Sequence, residues 1–203
     1  MKLIEEKVID YINAVDDISP APGGGSVASL VGALGVGLAK MLALFSINKK
    51  KFKESSKRKQ EKYILAMREL DSCKDELIKG VDDDALSYEA VITAYKSKDE
   101  ILIQQALNYS AYVAKTMQEE SYKALYYAEK LIDLGNKNLY SDLISSAILL
   151  ASCCEMASLN VFANAKSMSD ENLKDEYISS SVELVEKSKK LKNKIIRKIK
   201  ALQ

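Results

Sequence analysis

The sequence predicts an all-α fold, an antiparallel up-and-down helical bundle built around one buried helix of small residues. Three observations carry this. Apolar residues recur three and four apart almost throughout, the period of a helix with one packed face. Only two prolines and eight glycines occur in 203 residues, too little turn punctuation for a β-sandwich or barrel. No Pro-, Gly- or Ser-rich stretch is long enough to be a linker, so loops are short and neighbouring helices antiparallel. At 22.5 kDa the chain reads as one domain over residues 1–203.

The elements follow in order. Ile4, Val8, Ile12 and Val15 mark a short amphipathic helix that stops at Asp16-Asp17 and Pro20-Ala21-Pro22. Ser26 to Phe45 is a second helix of unusual composition. Six of the eight glycines lie between Gly23 and Gly37, and no charge occurs between Pro20 and Ala39. Ala28, Gly32, Gly35 and Ala39 are spaced four, three and four apart, a narrow stripe that lets another helix approach closely. A buried central helix or a dimer seam explains this better than a membrane span, since Lys40 interrupts the stretch and no second span or aromatic belt follows. Phe52, Tyr63, Met67, Leu70, Cys73 and Leu77 predict a helix over about 50–79, and another starts near Asp82. A helix over about 100–133 ends at Gly135, a residue that commonly closes one. Leu139–Ala165 and Leu173–Leu202 complete the bundle.

Composition removes several kinds of chemistry. Thirty basic against 29 acidic residues leave a net charge of +1, so nucleic acid is not bound through bulk charge. The lysine runs Lys49–Lys59 and Lys187–Lys200 read as solvated helix faces, with Ile195, Ile196 and Ile199 as the packed side of the second. Attraction of an anionic ligand tail is the sharper alternative. There is no histidine, so no imidazole base, nucleophile or metal ligand. Cys73, Cys153 and Cys154 have neither the number nor the spacing of a disulfide framework or a zinc site, and read as buried apolar side chains. The acids of Met1–Lys7 do not fit a secretory leader, so a cytoplasmic protein is expected.

Three stretches can carry chemistry. Pro22-Gly23-Gly24-Gly25-Ser26 precedes the central helix; its backbone can approach a ligand closely, Ser26 can cap the helix, and free N–H groups there favour an anion or carbonyl oxygen. It can equally be a tight structural turn. In Asp82-Asp83-Asp84-Ala85-Leu86-Ser87-Tyr88, Asp84 and Tyr88 share a helix face, although a carboxylate at a helix start is also a common cap. Finally, Gly135-Asn136-Lys137-Asn138-Leu139-Tyr140-Ser141-Asp142 leads into a helix whose far end carries Asn160 and Asn164, one turn apart. Asparagine has poor helix propensity, so that pair needs a partner, a ligand or another helix.

In order and spacing these stretches resemble the cyclodeaminase/cyclohydrolase family, the α-helical folate enzymes that include the C-terminal domain of formiminotransferase-cyclodeaminase and stand-alone methenyltetrahydrofolate cyclohydrolases. The family's Pro-Gly-Gly-Gly-Ser opening is Pro22–Ser26. Its acidic Asp-x-Asp-x-x-x-Phe stretch is Asp82, Asp84 and Tyr88, with Ala94-Tyr95-Lys96 after it. Its Gly-Asn-x-Asn-x-x-Ser-Asp and Asn-Val-x-x-Asn elements are Gly135–Asp142 and Asn160–Asn164. The likeness spans about residues 15–170. Tyr88 departs from the usual Phe, Ser97 stands where a Leu-Pro pair commonly follows, and a Pro often seen near Ala111–Ala114 is missing.

The resemblance implies a reaction at the one-carbon unit bridging N5 and N10 of tetrahydrofolate. A cyclohydrolase adds water to the methenyl carbon and gives 10-formyltetrahydrofolate; a cyclodeaminase closes 5-formiminotetrahydrofolate and expels ammonia. Both pass through a tetrahedral carbon and need a group that moves protons. Without histidine that group is a carboxylate whose pKa is raised by burial or by a like-charged neighbour. Asp84 is the expected donor and acceptor, with Asp82 as second choice. Asp142 is expected to orient water or bind the pterin edge. Asn160 and Asn164 offer amide contacts, and Pro22, Gly23, Gly24, Gly25, Ser26, Tyr88, Asn138 and Ser141 belong to the same substrate site. No metal or cofactor beyond the folate is expected, and a homodimer is implied. The cyclohydrolase is preferred because no fused transferase accompanies the domain. A folate- or pterin-binding module without turnover, and a lysine-rich bundle contacting acidic partners, are the readings from other classes.

Overall fold

The computed structural model describes residues 2–202. These hold seven α-helices and no strand: α1 (Val8–Val15), α2 (Gly24–Ile47), α3 (Lys50–Lys53), α4 (Lys57–Ser97), α5 (Glu100–Leu131), α6 (Tyr140–Ala165) and α7 (Glu171–Lys200), with 3-10 turns at Leu3–Glu5 and Lys137–Leu139. Helices α2, α4, α5 and α6 form the core, each antiparallel to the next in sequence, and α2 also lies antiparallel against α6. Helix α7 covers α5 and α6. The all-α, up-and-down expectation therefore holds.

Helix α2 is the buried helix that the small-residue stripe predicted. Ala28, Gly32, Gly35 and Ala39 are all buried. At Gly32 an added Cβ would sit 2.8 Å from Cys153 Sγ and 3.2 Å from Leu77 Cδ1, and at Gly35 it would sit 3.0 Å from Leu150 Cγ. The missing side chains therefore set how closely α4 and α6 approach. Two segments, Gly24–Ile47 and Lys137–Ala165, are long and apolar enough to cross a membrane, one more than the sequence reading allowed. Both supply buried faces to the bundle core.

The first and fourth helices depart from expectation. In α1 only Tyr11 is buried, whereas Val8 and Ile12 are 77% and 53% exposed. The apolar period there marks a face that this chain does not cover. The break expected between residues 79 and 82 does not occur, and α4 runs unbroken for 41 residues. Gly80 lies inside it because an added Cβ would meet Ser29 Oγ on α2; the glycine serves close packing and not a helix end. Gly135 has no left-handed backbone either. An added Cβ there would come within 3.1 Å of Leu42 Cδ2, so it too relieves crowding. Helices α5 and α7 begin on side-chain caps, Asp99 accepting the N–H groups of Ile101 and Leu102 and Asp170 that of Leu173. The three cysteines are free and buried, and Ile195 and Ile199 of α7 are fully buried beneath its lysines.

Replacing Gly32 by leucine forces a side chain into the α2–α6 contact. The expected loss is about 1–3 kcal/mol or more, read as a lower urea midpoint.

Candidate active site

Four helix segments meet at one end of the bundle: the start of α2, the last third of α4, the early part of α5 and the end of α6. Between them opens a cleft of about 360 Å³. Asp84, Tyr88, Val91 and Tyr95 descend one face of α4 into it. Asn160 and Asn164 face them from α6, the Gly23–Gly25 backbone closes one side, and Leu107 and Ser110 come from α5.

Asp84 occupies the centre. Its Oδ2 accepts the backbone N–H of Ser26 at 2.8 Å, in the first turn of α2, where N–H groups have no partner within the helix. A carboxylate from α4 thus satisfies the start of α2, and the glycines make this possible. An added Cβ at Gly25 would run into Asp84 Oδ1 and lie 2.6 Å from Asn160 Nδ2. Two forces act on the carboxyl group. Burial pushes its pKa up, the Ser26 N–H pulls it down, and the net direction is up. The cause is burial and not its acidic neighbours.

Those neighbours face elsewhere. Asp82 Oδ1 accepts the Leu3 N–H at 2.6 Å and lines a separate groove of about 870 Å³ beside the N-terminal segment. Asp83 pairs with Lys79 at 3.5 Å. Consecutive helix residues point 100° apart, so only one of the three acids can enter the cleft, and Asp82 is not that one. None of the three caps its own helix, since all lie inside α4.

Ser26 is the third residue of α2, and the N-cap position belongs to Gly23. The Ser26 hydroxyl instead donates to Val81 O at 2.8 Å. It also lies 2.9 Å from the Tyr11 hydroxyl, which supplies the proton of that bond. Tyr11 is thus the anchor of α1 to the site, and burial raises its pKa. No sequence spacing pointed to it, because the pairing crosses a loop. Asp84, Tyr88, Val91 and Tyr95 are spaced four, three and four apart, and that period could have found Tyr95. Pro22 is buried behind the loop, and it is Pro20 and Ala21 that line the cleft. Asn164 Nδ2 donates to the Asn160 backbone carbonyl at 2.9 Å, and both residues line the cleft.

The Gly135–Asp142 stretch is not brought there. Asp142 sits in the first turn of α6 and Asn160 near its end, eighteen residues and about 27 Å away. Asn138, Ser141 and Asp142 lie at the opposite end of the same chain. One structural job there is clear: Asn136 caps the following turn through the Asn138 N–H and donates its own N–H to Ser46 Oγ at 2.8 Å. The lysine groove formed by Lys59, Lys62, Lys194 and Lys198 is also at that far end, where Lys198 pairs with Glu129 and Asp133. Among the described residues no three Cys, Asp or Glu side chains gather as a metal site.

A family model described as formiminotransferase-cyclodeaminase matches residues 7–183. The chain belongs to this family. It is 27% identical to the methenyltetrahydrofolate cyclohydrolase of Methylorubrum extorquens, with 97% of both chains aligned. It is 28% identical to the formimidoyltransferase-cyclodeaminase of Gallus gallus, covering 92% of this chain but 36% of that longer one. Among solved structures, the formiminotetrahydrofolate cyclodeaminase of Thermotoga maritima superposes with a TM-score of 0.86 at 27% identity, over 98% and 99% of the two chains. The family is one of folate one-carbon enzymes, cyclohydrolases and cyclodeaminases, and this chain is an enzyme of that kind.

Two measurements check the geometry. Tyr11→Phe removes one buried hydrogen bond and lowers stability by about 1 kcal/mol, measured by urea denaturation. Because burial raises the folded-state pKa of Asp84, its protonated form is favoured on folding. That contribution is complete below the unfolded carboxylate pKa and is lost as pH rises through the folded value. Asp84→Asn therefore raises the thermal midpoint at pH 7 relative to the parent, and the gap narrows below pH 4.

Proposed function

We propose that this chain is a 5,10-methenyltetrahydrofolate cyclohydrolase, with Asp84 as its acid/base group. The observation that carries the reading is the Asp84 carboxyl, half-buried with a raised pKa and bonded to the start of α2, in a cleft with apolar, aromatic and amide walls. A pKa drawn toward neutrality is what lets one group take and return a proton within a turnover. The full-length alignment with the Methylorubrum cyclohydrolase favours water addition.

In this reading the methenyl carbon sits beside Asp84, with the pterin against Tyr88 and Tyr95. Asp84, ionised, accepts a proton from water as the water oxygen bonds to the carbon. The product of that step is an uncharged tetrahedral carbinol. Asp84 then gives the proton to N5 as the carbon–N5 bond breaks. The carbinol hydroxyl releases its proton to solvent, and the formyl group stays on N10. The balance is one water consumed and one proton released, which matches the charge of the methenyl substrate. The Asn160 amide hydrogen-bonds the developing oxygen, and the Gly23–Gly25 backbone allows the ring to approach. The substrate carries the reactive carbon, so the proposal needs no metal or other cofactor. The protein is a homodimer in this proposal, and neither nucleic acid nor a membrane is a partner.

The second reading is the cyclodeaminase, favoured by the similarity to the Thermotoga enzyme. There N10 attacks the formimino carbon and gives up its own proton to the imino nitrogen, protonated Asp84 delivers a second proton to that nitrogen, and the carbon–nitrogen bond breaks to leave ammonia and the methenyl cation.

The test is loss of the methenyl chromophore of 5,10-methenyltetrahydrofolate, compared with the spontaneous rate in a non-catalytic buffer. The protein accelerates it, and Asp84→Asn reduces kcat about 100- to 10,000-fold. For the parent, kcat/KM falls as pH drops through the raised pKa of Asp84, because the base must be ionised to accept the proton. No acceleration, with turnover of 5-formiminotetrahydrofolate, selects the cyclodeaminase. Binding without turnover of either selects a folate-binding module.

A further inference from the structure

Among the described residues, two hydrogen bonds tie the segment over residues 2–21 to the helices of the bundle. The Leu3 N–H donates to Asp82 Oδ1 of α4 at 2.6 Å, and the Tyr11 hydroxyl donates to Ser26 Oγ of α2 at 2.9 Å. Apolar burial adds little, because Tyr11 is the one buried residue of α1 while Val8, Ile9 and Ile12 are more than half exposed.

Both ties end beside the contact on which the cleft depends. Ser26 gives its N–H to Asp84 Oδ2 and its hydroxyl proton to Val81 O, each at 2.8 Å, so one residue of α2 grips α4 at two positions three residues apart. Asp82 lies between those positions. The N-terminal segment therefore spans α2 and α4 at the point where Asp84 is held.

That point needs an outside tie. Helix α2 opens on Gly24 and Gly25, so Ser26 is its first residue with a side chain, and a Cβ added at Gly24 would meet nothing within 4 Å. Glycine leaves the backbone free, so the direction of the Ser26 N–H is set by whatever holds Ser26. A proton-transfer group works only when held within about 0.5 Å of its productive place.

We propose that residues 3–11 are a clasp across α2 and α4, and that Tyr11 and Asp82 are positioning residues that hold the Asp84 carboxyl against the Ser26 N–H from outside the cleft. Neither lines the cleft, so neither touches substrate. The clasp follows from the hydrogen bonds; its effect on turnover rests on the folate reading above.

The groups around Asp84 leave its ionisation to this contact. Tyr11 faces it from α1, and Tyr88 and Tyr95 of its own helix share its cleft. Helices α2, α5 and α6 present Ser26, Ser110, Asn160 and Asn164, none of them charged, and among the described residues no Lys or Arg lines the cleft. Asp82 and Asp83 are engaged by Leu3 and Lys79. Burial raises the Tyr11 pKa against the opposing Ser26 bond, so its hydroxyl stays a donor at neutral pH and below. The Ser26 N–H favours the ionised carboxylate, and loosening it moves the Asp84 titration to higher pH.

The experiment uses the full-length chain. Tyr11→Phe removes one tie. Leu3→Pro removes the other with little backbone strain: Lys2 is extended (φ −80°, ψ 136°), as a residue before proline should be, and the 3-10 turn makes no use of the Leu3 N–H. In each variant the Ser26 amide proton exchanges with solvent faster than in the parent, measured by NMR. Each loses about tenfold in kcat while KM for the methenyl substrate holds, and the acid limb of kcat/KM moves to higher pH. The double variant loses less than the product of the two single losses, because both ties serve one contact. Ile12→Ser, on the exposed face of α1, changes none of these. A folded variant of either kind with the parent's Ser26 exchange overturns the proposal, and so does faster exchange with an unmoved acid limb. If the parent turns over neither folate, the folate reading fails separately. The Asp84 carboxyl titration, followed by carbon-13 NMR, then decides the clasp: it moves to higher pH in both variants, and an unmoved titration overturns the proposal.

Discussion

The close approach of α2 to α4 and α6 is the constraint on which the rest of the molecule depends. Gly32 and Gly35 leave room for Cys153 and Leu150, and Gly80 leaves room for Ser29 from the opposite side. Three missing side chains on two helices thus hold α2 in the middle of the core. The same device continues to its first turn, where Gly25 leaves room for Asp84 and Asn160. Packing and site are one feature read at two ends of a single helix. A larger residue at any of these positions separates helices that the chemistry needs together.

At Asp84 the fold sets two effects against each other. Removal from water disfavours the charge, and the N–H of Ser26 at the positive end of α2 favours it. A carboxylate bonded to a helix start in water would be strongly acidic, and one buried without a partner would never ionise at neutral pH. Holding both influences on one group keeps it able to carry a proton and to lose it. Tyr11 belongs to this balance because it fixes the Ser26 hydroxyl, and with it the turn whose N–H meets the carboxylate.

The elements legible from sequence were those whose cause is local. The 3.6-residue period located α2, α5, α6 and α7 closely, and the small-residue stripe identified the central helix. Errors arose where a residue served a neighbouring element. The helix break expected between residues 79 and 82 falls beside Gly80, and the reason for that glycine is Ser29 on α2. The period of α1 looked like a buried face, yet within this chain only Tyr11 is covered. In the acid triplet the sequence put Asp84 ahead of Asp82, and rotation by 100° per residue gave each acid a different surrounding, with only Asp84 in the cleft.

By itself the sequence determined an all-α chain without imidazole chemistry, a glycine-rich entry to its central helix, and a set of Asp and Asn motifs that belong to a folate enzyme family. These follow from composition, periodicity and order, which are properties of the chain before it folds. Only the tertiary structure decided which acid enters the cleft, that Asp82 turns to the N-terminal segment, and that Asp142 stands about 27 Å from Asn160 along the same helix. The physical reason is that burial and hydrogen bonding are set by residues far away in sequence. Asp84 meets Ser26 across 58 positions, and no local pattern encodes that meeting.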